Sequence, residues 1–70
     1  MSSPSVVINE LIEAHKKLED AYENIKKAMA YADAEMYDEL EEIRKRLVLL
    51  MIDIDAEIEL IEVESHDYGV

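Results

Sequence analysis

Eight positions near the start of the chain, Ile8, Leu11, His15, Leu18, Tyr22, Ile25, Met29 and Ala32, recur at intervals of three and four, and all but His15 are largely apolar. That spacing returns to one side of an α-helix at about 100° per residue. Val7, Ala14, Ala21 and Ala28 widen the stripe along one edge with mostly small side chains, over which another helix can pack closely. Ser3 followed by Pro4 marks a start, since a serine hydroxyl can accept a free first-turn N–H and proline fits the first helical position. The pattern predicts a helix over about 4–32.

A second stripe, Met36, Leu40, Ile43, Leu47, Leu50 and Ile54, follows a slip in register between Ala32 and Leu40. Asp33 and the run Asp38-Glu39-Leu40-Glu41 stand at the slip. Asp38 and Glu41 have the spacing of a capping box, and acids at Glu39, Glu41 and Glu42 suit a helix N-terminus. Glu41 with Lys45 and Glu42 with Arg46 form i, i+4 pairs. A turn within 33–38 is therefore expected, leading into a second helix over about 38–65 and a short C-terminal tail. The fold class expected is all-α, a single domain over 1–70 in which a two-helix antiparallel hairpin assembles, coiled-coil-like, into a helical bundle. The alternative is a single long helix in a coiled coil, because neither Gly nor Pro occurs between Pro4 and Gly69 and a slip is also what a stutter looks like.

The segment from Ile52 to Val63 alternates strictly enough to suggest a strand. No turn residue interrupts Leu40 to Ser65, however, and a lone strand would have nothing to pair with. Wound as a helix, Leu47, Leu50, Met51, Ile54, Ile58 and Ile61 fall on one side, and Leu49, Ile52, Ala56, Leu60 and Val63 on the opposite side. A helix with two apolar faces needs two neighbours.

Composition narrows the possibilities. Seventy residues without cysteine make one marginal core unless the chain oligomerises. The absence of cysteine fits a reducing compartment. The first residues carry no basic, apolar leader, and the longest apolar run, Leu47 to Ile52, is too short to span a bilayer. A soluble, cytoplasmic protein is expected. A net charge of −11 argues against binding nucleic acid or anionic membrane directly. After Arg46 there are seven acids and no Lys or Arg. Asp55, Glu59 and Glu62 border the second apolar stripe on one flank, and Asp53, Glu57 and Glu64 on the other.

Candidate chemistry is sparse. Antiparallel register sets His15 opposite Asp53, where a carboxylate would satisfy the imidazole within the stripe. The sharper possibility is a metal site of His15, Glu19, Asp53 and Glu57. Glu62 and His66, i and i+4, form a second candidate pair for a divalent ion. With no cysteine nucleophile, Gly-rich phosphate loop or oriented Ser-His-Asp arrangement, neither an enzyme nor a cofactor is expected.

These patterns lead to an interaction protein, an adaptor or regulatory subunit. Self-association into a homodimer or higher oligomer is expected through Val7, Ala14, Ala21 and Ala28. A second protein with a basic-edged apolar surface would dock on Leu49, Ile52, Ala56, Leu60 and Val63, steered by Asp53, Asp55, Glu57 and Glu59. The alternative is an acidic inhibitor of phage type that blocks a nucleic-acid-binding protein by charge mimicry. A minor alternative is a metal-binding helical bundle.

Overall fold

A computed structural model describes residues 3–69, with the side chains of residues 3–64. Two helices, α1 (Pro4–Met29) and α2 (Ala34–Gly69), pack against each other as an antiparallel hairpin. The hairpin measures 55 × 16 × 15 Å. Its length is that of α2, whose 36 residues rise about 1.5 Å each.

Helix α1 starts at the expected place, but the first cap differs. Ser3 has the extended backbone of an N-cap and Pro4 occupies the first turn, yet the Ser3 hydroxyl makes no capping bond. Its Oγ lies 3.2 Å from the Ser5 Oγ instead. Lys26 and Lys27 occupy the last turn, where positive charge opposes the helix dipole. The amides of Ala30, Tyr31 and Ala32 then bond to the carbonyls of Lys27, Ala28 and Met29, three residues back. These tighter bonds close the helix without a left-handed residue, and none of the described residues has positive φ.

The turn therefore lies at 30–33 rather than within 33–38. Asp33 is the cap of α2: its Oδ1 accepts the Met36 amide at 2.9 Å, and its carbonyl accepts the Tyr37 amide at 2.8 Å. An aspartate whose side chain satisfies the third amide of a new helix favours a break over continuation of the old one. Asp38 sits in the second turn of α2 and is not a cap. Glu41 does not reach back to it; the Glu41 carboxylate is held by Arg44. The pairs foreseen at i, i+4 form at i, i+3: Glu41 with Arg44, and Glu42 with Lys45 at 3.5 Å.

The seam matches the expected stripe of α1 position for position. Ile8, Leu11, His15, Leu18, Tyr22, Ile25 and Ala32 are half-buried, and Met29 is buried. On α2 the inward line is Leu40, Arg44, Leu47, Met51, Ile54, Ile58 and Ile61, spaced four and three throughout. Met36, Ile43 and Leu50, expected on that line, are exposed beside it. Met29 at 8% exposure is the one buried hydrophobic residue among those described. Two cylinders touch along a line, so each seam residue is covered from one side only.

Replacing Asp33 with Ala should lower the free energy of unfolding by about 1 kcal/mol, the usual worth of an N-cap, in urea denaturation followed by circular dichroism. Asp38→Ala should change it by less than about 0.5 kcal/mol, as an exposed helix position does. The reverse ranking would move the start of α2 to Asp38.

Candidate functional site

One side of the seam is polar. Near its middle, His15 Nδ1 lies 2.7 Å from Glu19 Oε1 on its own helix, and Nε2 lies 3.4 Å from Asp55 Oδ2 across the hairpin. The expected opposite number was Asp53. The exchange comes from helix facing: Asp55 falls on the flank of α2 that carries Arg44, beside the imidazole, and an earlier turn would by itself have moved the partner the other way. Asp53 therefore points to the other flank of α2.

Toward the turn, Arg44 stands at a seam position between Leu40 and Leu47. Its Nη1 donates to the Tyr22 hydroxyl at 3.2 Å and its Nε donates to Glu41 Oε2 at 2.9 Å, with Nη2 donating to Glu41 Oε1. The guanidinium also lies 5.8 Å from the Tyr22 ring centroid, and Lys26 Nζ lies 5.4 Å from it. A half-buried cation is tolerated in an apolar line only when its fork of donors is engaged, as here. Glu41, Arg44, Tyr22, Lys26 and Tyr37 line an open groove of about 530 Å³ beside the turn. The sequence signal for Arg44 was available in its spacing, four after Leu40 and three before Leu47, but a cation does not register in a search for apolar periodicity.

The Glu41–Arg44 pair fixes the direction of two titrations. Hydrogen bonding from Arg44 holds the Glu41 carboxyl below the usual carboxylate range, against a smaller opposing effect of desolvation; the charges of Arg44 and Lys45 add to the lowering. Bonding to Glu41 first, and to Tyr22 second, raises the already high Arg44 value further.

For a metal ion the four expected ligands are not brought together. His15 and Glu19 are adjacent, but Asp55 rather than Asp53 faces the imidazole. The two ring nitrogens point at carboxylates on different sides of the ring, whereas a metal needs its donors aimed at one point. Among the described residues no three His, Cys, Asp or Glu side chains are grouped to hold an ion. The pair Glu62 and His66 falls on His66, whose side chain lies outside the described residues.

The outer face of α2 is apolar and open. Leu49, Ile52, Leu60 and Val63 each have more than half of their surface exposed, and Ala56 is exposed between them. Asp53, Asp55, Glu57 and Glu59 are all exposed along its two margins. Asp55 is shared with His15, so one of these four acids is partly committed to the hairpin. On α1, Ala14 and Ala21 are half-buried at the margin of the seam, and Val7 and Ala28 are exposed at either end of that row. Among the described residues no helix is long and apolar enough to cross a membrane.

No protein-family model, curated protein or solved structure matches the chain.

Two measurements check this geometry. Glu41→Gln should unfold more readily than the native chain at neutral pH. Because the folded Glu41 carboxyl is lowered, that difference should be undiminished above about pH 5 and shrink as the pH falls through the lowered value. A difference that persists unchanged to about pH 2 would mean that the ionised carboxylate contributes nothing. Separately, calorimetric titration with zinc, iron(II) and manganese(II) should show no stoichiometric binding tighter than about 10 μM, and tighter binding abolished by His15→Ala would restore the metal site.

Proposed function

We propose that the chain is a non-enzymatic interaction module, an adaptor or regulatory subunit that self-associates and offers the outer face of α2 to a second protein. The observation that supports this most directly is the openness of Leu49, Ile52, Leu60 and Val63 on a helix whose other side is already occupied by α1. Scattered exposed aliphatics need no explanation, but a continuous row along four turns of one helix is the form of a helix-in-groove ligand. The bordering acids select the partner's chemistry. An apolar groove edged in Lys and Arg would be steered to this face, and an acid-edged groove would be repelled. The cytoplasm is the compartment proposed, on the strength of a sequence without cysteine.

Charge mimicry of a nucleic acid is the competing use of the same acids. Rows of carboxylates along a helix resemble a phosphate track, and a net charge of −11 suits such a role. A mimic of phosphate gains nothing from exposed Ile52 and Leu60, which favours the docking helix.

Affinity capture from the native cell, quantified by mass spectrometry, separates the two. Ile52→Glu combined with Leu60→Glu should leave the helical spectrum intact and remove the captured protein, since each buried aliphatic side chain is worth about 1.5–3 kcal/mol. Converting Asp53, Asp55, Glu57 and Glu59 to their amides should retain capture at low salt and flatten its salt dependence. Loss of capture on neutralising the acids, with none on charging the stripe, would replace the docking helix with the charge mimic.

A further inference from the structure

The apolar arcs of both helices are off-centre, and toward the same side of the hairpin. The polar contacts, His15 with Glu19 and Asp55 and Tyr22 with Arg44, all lie on one side of the seam. Stepping the other way around each helix at about 100° per residue leads to Val7, Ala14, Ala21 and Ala28 on α1 and to Met36, Ile43 and Leu50 on α2. In an antiparallel pair these two rows share the side opposite the polar contacts. The hairpin thus has a polar flat side and, opposite it, a side that is apolar along α1 and along α2 as far as Leu50, where Glu57 continues the row; it is distinct from the outer face of α2. Met36, Ile43 and Leu50 are each at least 40% exposed on it.

We propose that this apolar flat side is covered by a second copy of the chain turned end for end, so that α1 lies on α1, α2 lies on α2, and four helices close around one core. The proposal rests on the self-association in the proposed function and gives it a face and an orientation. Three observations carry it. The small-residue row is complementary to itself when reversed: about a point between Lys17 and Leu18, Ala14 meets Ala21 of the second copy and Val7 meets Ala28. The contacts of His15 with Asp55 and Tyr22 with Arg44 place that same level between Leu50 and Met51 on α2. There the reversal sets Arg46, on the rim of the apolar side, between Asp53 and Glu57 of the second copy, so each end of the α2 pair gains a cation among acids. The other two-fold arrangement, with both turns at one end, packs α1 on α2 of the second copy and brings Glu10 to the level of Glu57.

Area agrees with charge. The hairpin exposes 5562 Å². A compact monomer of its 8.1 kDa would expose roughly 4500 Å². The excess is on the order of the 800 Å² that each partner loses in a standard stable interface.

The test uses the full chain. Sedimentation should give twice 8.1 kDa. With no native cysteine to interfere, Leu50→Cys should form a disulfide with its own copy on mild oxidation, and Ile52→Cys should not. Spin labels on Tyr31→Cys, a turn position 92% exposed, should lie about 40 Å apart, some thirteen residues either side of the two-fold at 1.5 Å rise. Arg46→Glu should weaken the dimer about tenfold, and adding Glu57→Arg should restore it. Residues 46 and 57 are three turns apart on one helix, so rescue has to act between copies. A monomer would overturn this arrangement and the self-association beneath it. A dimer with Tyr31 labels within about 20 Å, or one linked through Ile52→Cys but not Leu50→Cys, would overturn the arrangement alone. Failure of Glu57→Arg to rescue a folded Arg46→Glu chain would do the same.

Discussion

Two helices cannot enclose a core. Each touches the other along one line, and every seam residue but Met29 keeps a side open to water among those described. This limit shapes the rest of the structure. Apolar side chains that a larger domain would hide are left on three surfaces: the seam's own margin, the flat side carrying Ile43 and Leu50, and the outer face carrying Ile52 and Leu60. Burial of each aliphatic group is worth a few kcal/mol at most, and ordering about 60 residues costs more than a half-covered seam returns. The proposed association would supply the missing burial.

The polar side of the seam shows how that limit coexists with specificity. A pair of smooth apolar lines could slide by a turn at little cost. Arg44 opposes this because, held by Glu41 on its own helix, it meets the Tyr22 hydroxyl of α1 at one register, and His15 with Asp55 repeats the constraint further along. Exposed ion pairs add little to stability, but misaligning the helices would take Tyr22 from the half-buried Arg44 and Asp55 from His15. Polar contacts set alignment, while apolar contacts set attraction.

Helix content and the division into two elements were legible because three-four periodicity is strong over more than twenty residues on each side of a single slip. The seam of α1 was readable residue by residue for the same reason. The turn was displaced because its chemistry is local and ambiguous. Asp33 and Asp38 both resemble caps, and what distinguishes them is a bond from the Met36 amide that only coordinates reveal. The cross-helix partner of His15 changed for a separate reason: matching levels along two helices ignores which flank a side chain takes, and Asp55 rather than Asp53 is on the flank that meets the imidazole. Arg44 was missed because a charge within a hydrophobic repeat reads as an interruption until its partners are seen.

The hairpin also has a direction in time. The Tyr22–Arg44 contact near the turn spans 22 residues, whereas a contact between the ends of the helices closes a loop of more than fifty. Loop entropy rises with that separation, so pairing advances like a zip from Asp33 toward Pro4. The end closed last opens first. Leu60 and Val63 sit at that end, so the proposed docking stripe lies partly on the segment of α2 farthest from the turn, where loop entropy favours opening first.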